Sequence, residues 1–475
     1  MSNNIKPEPA LIVIFGVTGD LVKRKLFPAL LSLIKSNLLH ESTIVIGITR
    51  QNLSTEKVLR ELILDNPNLD ETTLNLFKLR FQVKTMDVNN EEDYSSLRQS
   101  LDILEEEKGM CMNKLFYLSI PPQVFSLIVG HLGRSGLNSK CKHNFADSRL
   151  LIEKPFGYDL ESAKKLITDT SKYFKENQIF RIDHYLAKET VQNILSFRFN
   201  NAIFESLWKD SHISLIEIEA IETLGIENRA NFYEHTGALR DIIQSHLIQL
   251  MAIIMMEEPT SFSSEHIHES KLALLKSAIP LNNDNVESNA VRGQYETYRS
   301  EVENEESVTE TYAALKVEFS NDRWNNVPII LKTGKSLNEK KTEVKVIFKR
   351  KDKAENTVLH NSLTFRIQPN EGIDINIIVK KPGLDNELEL VDMDFSYSKF
   401  FQAGSQPDAY ERVLIDAIKG DHTLFSTSEE VLAAWEIVDK VIMKWSNQGN
   451  DLQIYNNNSS GPKALPNWLK IDYSP

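Results

Sequence analysis

Cysteine is scarce in this sequence, which contains Cys111 and Cys141 and no others in 475 residues. Their spacing matches neither a metal-ligand motif nor a disulfide framework, so we predict neither and expect a reducing compartment. Long apolar runs are also lacking. The N-terminal MSNNIKPEPA is polar, and no stretch approaches the roughly 20 apolar residues of a membrane span. These absences predict a cytoplasmic protein without a membrane partner.

Excess positive charge is lacking as well. Asp and Glu number 67 against 54 Lys and Arg, which gives a formal net charge of −13. This balance argues against a non-specific nucleic-acid or anionic-membrane surface, so we expect no nucleic-acid partner. Local groups of cations can still bind a phosphorylated small molecule.

The chain is long enough for two or three domains, and its 41% hydrophobic and 25% charged residues are typical of globular proteins. In residues 1–182, short apolar runs alternate with helical patterns, as in a doubly wound domain. Apolar strands of this kind predict a Rossmann-like parallel sheet covered on both faces. The predicted strands are Ala10–Phe15, Thr43–Ile48, Phe81–Thr85, Lys114–Ile120, Arg149–Ile152 and Gln178–Ile182.

The first predicted strand ends in a turn, Gly16-Val17-Thr18-Gly19-Asp20-Leu21, that runs into a helix. A glycine here lets the backbone approach a pyrophosphate, which then sits on the helix N-terminus. The G-x-x-G spacing is shorter than the full dinucleotide fingerprint and is weak by itself. Its place after the first strand favours a coenzyme site that includes Gly16, Thr18, Gly19, Asp20 and Leu21.

Later strand ends carry further candidates for the same site. Arg50 follows the second strand, where an acid would bind a ribose 2′-OH and an arginine suits a 2′-phosphate. Arg50 therefore favours NADP, with NAD as a secondary coenzyme; a solvent-facing arginine is the alternative. Pro121 and Lys154 follow two later strands, and Pro155 could fix the direction of Lys154 through a cis bond. A surface ion pair of Glu153 with Lys154 is the alternative there.

The pattern changes in residues 183–475. Strands follow one another with short turns, which predicts a larger α+β domain built on a mostly antiparallel sheet flanked by helices. Residues 282–304 are polar and are predicted to form a surface loop. The predicted strands are Ile213–Ile221, Thr311–Phe319, Val327–Thr333, Thr342–Phe348, Leu363–Ile367, Ile373–Val379 and Leu388–Phe395, and the helices are Gly237–Met256, Glu265–Ser277, Asp408–Lys419 and Ser428–Trp445.

The densest group of chemically active side chains lies in the stretch RIDHYLAKE at 181–189. Its second half continues as a helical pattern. A helix would place His184 and Lys188 on one face near its N-terminus, where an anion is favoured. A charged first turn exposed to water is the alternative.

His246 falls on the apolar stripe of the predicted helix Gly237–Met256, whereas Asp241 lies off it. A histidine in such a place is usually a satisfied core residue. If a carboxylate meets it in a cleft, the same burial makes a good general base. The acids of RIDHYLAKE and Glu222 are candidate partners. Lys335 follows an apolar strand and a glycine turn, and is either a solvated strand end or a phosphate-binding cation.

Together these segments resemble the glucose-6-phosphate dehydrogenase family, in the family's order and over nearly the whole chain. The resemblance implies oxidation of β-D-glucose 6-phosphate at C1 to the 6-phospho-glucono-δ-lactone with hydride transfer to NADP⁺, the first step of the pentose phosphate pathway. It also implies a homodimer or homotetramer formed through the sheet domain. The matching segments are GVTGDLVKRKLFP at 16–28, EKPFG at 153–157, RIDHYLAKE at 181–189, ETLGIENR at 222–229, GALRDIIQSHLIQL at 237–250, VPIILKTGK at 327–335, QPNE at 368–371 and PDAYERVLID at 407–416.

Carried over residue by residue, the resemblance makes His246 the proton acceptor and Asp183 the carboxylate that orients it. His184, Tyr185 and Lys188 match the residues that hold the substrate phosphate. The other substrate contacts that it implies are Lys154, Glu222, Asp241, Lys335 and Lys340. The predicted coenzyme site comprises Gly16, Thr18, Gly19, Asp20, Leu21, Arg50, Pro121 and Lys154. No metal is predicted.

The chain departs from the family pattern at Ala187 and Asn326, where glycines are usual, which questions local backbone shape and not reaction type. Arg366 and Lys341 could serve a second, structural NADP⁺ that some members carry. One alternative is a related sugar oxidoreductase of the glucose–fructose oxidoreductase type, which a test of unphosphorylated glucose would separate. Another is a non-catalytic dinucleotide-binding regulator, against which the retained acid–base pair argues.

Overall fold

The computed structural model describes residues 6–66, 69–141, 146–282, 284–350, 359–401, 406–447 and 451–469. Within them lie a seven-stranded and a nine-stranded sheet. The strands are β1 (Ala10–Phe15), β2 (Ile44–Thr49), β3 (Phe81–Thr85), β4 (Asn113–Leu118), β5 (Ser148–Glu153), β6 (Ile179–Ile182), β7 (Ile213–Ile221), β8 (Ala290–Tyr295), β9 (Tyr312–Val317), β10 (Ile329–Gly334), β11 (Lys341–Phe348), β12 (Ser362–Gln368), β13 (Gly372–Lys380), β14 (Leu388–Ser396), β15 (Phe425–Ser426) and β16 (Gln453–Tyr455).

Helices connect and cover these strands. Two π-helical segments, Val22–Leu26 and Leu239–Leu247, lead directly into α-helices. The α-helices are α1 (Phe27–Lys35), α2 (Thr55–Leu64), α3 (Glu71–Lys78), α4 (Glu91–Lys108), α5 (Phe125–Arg134), α6 (Leu160–Ser171), α7 (Glu189–Asn200), α8 (Ala202–Glu205), α9 (Ala230–Ala238), α10 (Ile248–Met255), α11 (Ser264–Lys276), α12 (Val286–Asn289), α13 (Tyr298–Glu301), α14 (Tyr397–Phe400), α15 (Ala409–Lys419) and α16 (Ser428–Asn447).

The seven-stranded sheet has the order β15-β6-β5-β4-β1-β2-β3, and β1 to β6 are parallel. Strands β1, β2 and β4 are buried along their whole length, as expected for a sheet covered on both faces. One hydrophobic cluster contains Leu30 of α1 and Val58 of α2 and covers one face. A second contains Leu101 of α4 and Ile128 of α5 and covers the other. The predicted Rossmann-like, doubly wound architecture is confirmed.

Strand β15 is an addition that the sequence did not predict. It comes from the second half of the chain and pairs antiparallel with β6, Phe425 opposite Ile182 and Ser426 opposite Arg181. Two residues are too few to show a strand period. This pairing ties the second half of the chain to the strand that leads into Asp183.

The nine-stranded sheet has the order β14-β13-β12-β11-β7-β10-β9-β8-β16. Its pairs are antiparallel except β7 with β10 and β8 with β16. The π-helical segment Leu239–Leu247 packs on one face, against β7, β9 and β10. The predicted α+β half with a mostly antiparallel sheet is therefore confirmed. Its central strands pack against the helical segment that contains His246.

The prediction of a surface loop at 282–304 is wrong for the residues that the structure describes there. They include α12, α13 and the buried strand β8. Strand β8 could not be recognised from the sequence because it contains polar residues, whose hydrogen-bond partners are distant in the chain. The Arg292 guanidinium donates to Asp451 Oδ1 and to the Trp445 carbonyl, and the Gln294 side chain donates to the Thr309 carbonyl. Burial of polar groups with such partners leaves no apolar alternation to detect.

The prediction that the cysteines are unpaired is also wrong. Cys111, just before β4, and Cys141, beyond α5, form a disulfide with their Cα atoms 6.3 Å apart. The two positions are separated by a complete helix and strand, so their proximity is decided by the parallel sheet and not by sequence spacing.

The expectation that no stretch approaches a membrane span needs one correction. Residues Glu227–Met255 are long and apolar enough by length and composition, but 83% of their most apolar window is buried inside the protein. The same stretch contains His246 and packs on the nine-stranded sheet. We therefore interpret it as a core helix.

The two residues that depart from the family pattern, Asn326 and Ala187, are both compatible with the backbone conformation at their positions. Asn326 adopts φ +63°, the left-handed region that glycine enters freely and asparagine tolerates. Ala187 is buried and has a negative φ, so its Cβ brings no backbone strain.

Candidate active site

The turn after β1 has the geometry of a pyrophosphate cradle. Gly16 adopts φ +82°, and a Cβ there would lie 2.3 Å from the Ser119 carbonyl oxygen. The Gly19 N–H donates to the Gly16 carbonyl at 2.9 Å, which closes the turn. The turn lies between the carboxyl ends of β1 and β4, where the strand order reverses and dinucleotides bind. Glycine is thus required at 16, and these residues fit a dinucleotide coenzyme.

The other predicted coenzyme residues surround this turn. Arg50 is exposed immediately after β2, and Pro121 is exposed after β4. Asp20 pairs with Arg24 at 2.7 Å on the exposed side of the π-helical turn. Thr18 and Leu21 are half-buried in the turn itself. The structure places all of them at one sheet edge, and their coenzyme contacts remain predictions.

The stretch after β6 is a double turn and not the predicted helix start. The Asp183 carboxylate accepts the Tyr185 N–H at 2.9 Å, and the Lys188 N–H donates to the Tyr185 carbonyl at 3.1 Å. Helix α7 begins at Glu189, with Lys188 at its N-cap. A further turn is closed by the Leu186 N–H, which donates to the Asp183 carbonyl at 3.1 Å, so this stretch consists of successive i→i+3 turns before the helix. Asp183 and Tyr185 are buried by this turn.

The segment that carries His246 begins at a tight backbone contact. Gly237 has φ +67°, and a Cβ there would lie 2.3 Å from Glu310 Oε1. The same carboxylate oxygen accepts the Leu239 N–H at 3.0 Å, so Glu310 satisfies a free donor at the start of the π-helical turns. His246 lies at the end of these turns with 1% of its surface exposed. The prediction of a buried histidine on this helix is confirmed.

His246 is held by a carboxylate on one side and an ammonium on the other. Its Nδ1 lies 2.6 Å from Asp183 Oδ1, and its Nε2 lies 2.8 Å from Lys154 Nζ. A lysine ammonium can only donate, so Nε2 carries the lone pair and Nδ1–H donates to Asp183. The ring is therefore in the tautomer that a general base needs. The Lys154–Pro155 bond is cis, as predicted.

Asp241 is buried, although the helical pattern placed it off the apolar stripe. The helical wheel assumes 100° per residue, and the π-helical turns around Asp241 change that angle. Lys154 Nζ donates to Asp241 Oδ1 at 2.9 Å and to its carbonyl at 2.8 Å. Burial opposes ionisation, but Lys154 holds the pKa of Asp241 well below its usual range. The ion pair is what permits this burial.

Burial lowers the pKa of His246; Asp183 opposes this effect and Lys154 adds to it. Burial likewise lowers the pKa of His184 well below its usual value, helped by nearby His246 and Lys154. Both rings are therefore neutral near pH 7. Their centroids lie 4.8 Å apart, so His184, which the resemblance assigned to the substrate phosphate, lies directly beside His246.

A cavity of about 450 Å³ opens beside His184. Lys188 Nζ lies 4.6 Å from the centre of the Tyr185 ring and donates to the Gln368 side chain. Burial lowers the pKa of Lys188 to about 8. The lining of this substrate pocket, as we call it, is Lys25, His184, Tyr185, Lys188, Glu189, Thr190, Glu222, Ile367, Gln368, Glu371, Gln406, Pro407, Asp408, Ala409 and Tyr410.

The lining includes residues to which the sequence assigned no role. Lys25, Gln368, Glu371, Asp408 and Tyr410 come from chain segments far apart. They belong to the motifs KRKLFP, QPNE and PDAYER. The resemblance therefore identified these segments without assigning a role to these five residues. Their approach to Lys188 depends on how α15 and β12 meet the double turn.

Two further predicted substrate residues lie at the edge of this pocket. Lys335 pairs with Glu222, which lines the pocket, and its Nζ lies 5.4 Å from the centre of the Tyr233 ring. Lys340 is exposed, near enough to Lys188 to help lower its pKa. Lys340 is therefore a peripheral member of the group.

The residues suggested for a second, structural NADP⁺ do not fit one. Lys341 Nζ lies 2.6 Å from Glu219 and 3.2 Å from Glu343, and Arg366 Nε lies 3.2 Å from Asp374. Carboxylates thus already neutralise both cations and would repel a pyrophosphate. We assign no second coenzyme to this face of the sheet.

Comparison with known proteins identifies the family of this chain. Residues 13–193 match the model of the glucose-6-phosphate dehydrogenase NAD binding domain, and residues 195–474 match that of the glucose-6-phosphate dehydrogenase C-terminal domain. The chain belongs to the glucose-6-phosphate dehydrogenase family. The enzyme named glucose-6-phosphate 1-dehydrogenase from Chlamydia pneumoniae is 40% identical, over 98% of this chain and 95% of that protein.

Solved structures of the family share the complete fold. A glucose-6-phosphate dehydrogenase in complex with its substrate glucose-6-phosphate superposes with a TM-score of 0.89, at 32% identity over 97% of both chains. The glucose-6-phosphate 1-dehydrogenase of Mycobacterium avium gives 0.84, at 30% identity over 97% of this chain and 96% of that one. Family membership therefore extends over both sheets.

Proposed function

We propose that this protein oxidises β-D-glucose 6-phosphate at C1 to the 6-phospho-glucono-δ-lactone with NADP⁺ as coenzyme. The observation that carries the proposal is the Asp183–His246 pair beside a pocket that contains Lys188. A neutral base and an anion-binding cation in one cleft suit a phosphorylated alcohol. Family membership supports the same substrate.

In this reaction His246 Nε2 removes the proton of the C1 hydroxyl, and Asp183 stabilises the imidazolium that forms. When bound, NADP⁺ accepts the hydride from C1. Nε2 now receives a hydrogen bond from Lys154, so the hydroxyl reaches the base only when Lys154 shifts. Lys154 retains Asp241 as a partner after this shift.

The pocket supplies binding energy away from the reacting carbon. Lys188, His184 and Tyr185 bind the phosphate, and Glu222 and Asp241 accept hydrogen bonds from sugar hydroxyls. A phosphate fixed at one end of the sugar orients C1 at the other, so binding energy contributes to the rate. Neutral His184 can donate one hydrogen bond without adding charge.

The pH dependence of kcat, measured with saturating glucose 6-phosphate, should reflect the lowered pKa of His246. The base must be unprotonated, and a lower pKa keeps it so at lower pH. We therefore expect the acidic limb of the profile to lie below the ordinary histidine value of about 6.5. A pH series from 5 to 9 measures it. An acidic limb of kcat above about 6.5 would contradict the assignment.

The preference for NADP rests on Arg50, exposed after β2 at the edge where a coenzyme ribose lies. Arg50→Ala should raise KM for NADP⁺ about tenfold, because a charge-assisted bond to the 2′-phosphate is lost. KM for NAD⁺ should stay within about twofold. Arg60→Ala, at an exposed arginine of α2, is the matched control. Equal changes for both coenzymes would refute the role of Arg50.

The decisive experiment is nicotinamide reduction followed at 340 nm. Glucose 6-phosphate is assayed with NADP⁺ and NAD⁺ in parallel, and glucose replaces it in a second pair. Reduction with glucose 6-phosphate supports the proposal. Faster reduction with glucose would favour the glucose–fructose oxidoreductase type, and no reduction would favour a regulator.

We propose further that the protein forms a homodimer through the large sheet. Apolar residues are exposed around its β13–β14 edge: Met393 is 56%, Phe400 66% and Phe401 54% exposed. Large apolar side chains exposed at a sheet edge indicate a protein partner. Sedimentation velocity on the wild type and on Met393→Lys measures the association, which the charge should weaken.

A further inference from the structure

Glu153 is a carboxyl group beside the candidate active site that the proposed reaction does not use. It is the last residue of β5 and directly precedes Lys154. The two side chains serve different partners. Lys154 contacts His246, whereas Glu153 meets the phenols of Tyr117 and Tyr410. The sequence left open a surface ion pair between Glu153 and Lys154. In the structure the two side chains belong instead to two separate buried networks.

The carboxyl group of Glu153 faces phenols from both halves of the chain. The Tyr117 hydroxyl, on β4, donates to Glu153 Oε1 at 2.5 Å. The Tyr410 phenol, on α15, faces the same carboxyl group, whose charge helps to raise the pKa of Tyr410. An ionised carboxylate can accept from both hydroxyls, whereas a protonated one loses part of that capacity. Glu153 thus joins the end of the coenzyme sheet to α15.

Tyr410 brings this junction to the substrate pocket. It lines the pocket, and its ring lies nearly parallel to that of His184 with centroids 6.4 Å apart. The Asp408 side chain accepts the Tyr410 N–H at 2.9 Å and so caps α15 at the same place. The start of α15 is therefore a wall of the substrate pocket, and Glu153 holds it from behind.

We propose that Glu153 is a positioning residue for substrate binding, whose carboxylate fixes Tyr410 and the start of α15 as a wall of the substrate pocket. The inference rests on the proposed function in that the pocket takes glucose 6-phosphate. Glu153 itself touches neither His246 nor the reacting carbon. Its removal should therefore affect KM more than kcat.

The groups around Glu153 make its effect on the substrate pocket sensitive to pH. The groups that face Glu153 are Lys154 on β5, Tyr117 on β4, Tyr410 on α15 and Asp183 after β6. Burial raises the pKa of Glu153 to about 7, more than Tyr117 and Lys154 lower it. The carboxylate that holds Tyr410 therefore forms as the pH rises through 7, and KM should fall over the same range.

The test compares kcat and KM for glucose 6-phosphate in Glu153→Gln, Tyr410→Phe and the double variant. Glu161→Gln, at an exposed acid on α6, is the matched control. We expect each single variant to raise KM about fivefold to tenfold, with kcat within about threefold of the wild type. The double variant should match the larger single effect, because both changes remove one shared contact. Between pH 6 and 8, KM of Glu153→Gln should vary less than that of the wild type.

Three results would overturn the proposal: KM within about twofold in Tyr410→Phe, additive effects in the double variant, or a fall in kcat with KM unchanged. If Glu153→Gln does not fold, Tyr410→Phe still decides, since it loses one hydroxyl group. A wild-type protein without glucose 6-phosphate activity would instead refute the proposed function, so that assay comes first.

Discussion

Replacing His246 by asparagine should lower kcat for glucose 6-phosphate oxidation by roughly 10³-fold while KM stays within a few-fold. Asparagine preserves polarity near Asp183 and Lys154 but cannot accept a proton at neutral pH. The loss therefore falls on the step in which the hydroxyl proton leaves. Hydride transfer from C1 depends on the removal of that proton, so the variant should retain little oxidation activity. Steady-state kinetics with saturating NADP⁺ measures both constants.

The matched control is His235→Asn, at an exposed histidine of α9 in the same helical stretch. It should retain wild-type kinetics, since its Nδ1 contacts the Asn231 carbonyl and no group of the site. A defect of His246→Asn that lies mainly in KM would remove His246 from the role of base. Unfolding is checked by comparing the thermal midpoints of the two variants.

Replacing Lys188 by alanine should raise KM for glucose 6-phosphate about 10- to 100-fold and change kcat much less. Its ammonium is partly desolvated beside Tyr185 and Gln368, and a charge-assisted bond to phosphate is strong in such surroundings. In the free wild-type enzyme the pKa of Lys188 is lowered to about 8 by burial. Its charge is therefore lost above that pH, and KM should rise there in the wild type but not in Lys188→Ala.

Two comparisons isolate the phosphate contact. With unphosphorylated glucose, Lys188→Ala and the wild type should have similar kcat/KM, because the missing contact has no partner in that substrate. Lys165→Ala, at an exposed lysine of α6, controls for loss of one positive charge. A near-wild-type KM for glucose 6-phosphate in Lys188→Ala would exclude Lys188 as a phosphate ligand.

Much of the coenzyme half was predictable because its signals are local. Apolar strands such as β1 and the Gly16 turn follow from side-chain burial and from a positive φ that glycine enters freely. Likewise, a cis bond before Pro155 could be considered from the sequence, because proline lowers the cost of the cis form. The neighbouring EKPFG motif and RIDHYLAKE identified the right segments through resemblance.

The errors arose where distant groups override local preference. Arg292 was assigned to a loop because its partner Asp451 is remote in sequence. His184 and Lys188 were expected on one face of a helix, but two successive turns occupy this stretch and the helix begins only at Glu189. Cys111 was predicted to be free because the proximity of its partner depends on the sheet.

The sequence by itself determined the fold class and, through its resemblance to known proteins, the family and the candidate active-site side chains. The fold class follows from the periodicity of apolar residues, and the family and the candidates follow from the motifs and their order. Tertiary structure decided which groups meet: Lys154 with His246 and Asp241, and Glu153 with Tyr410. The physical reason is that burial and charge pairing act through space. The same side chains have different pKa values and partners once two sheets bring them into one desolvated cleft.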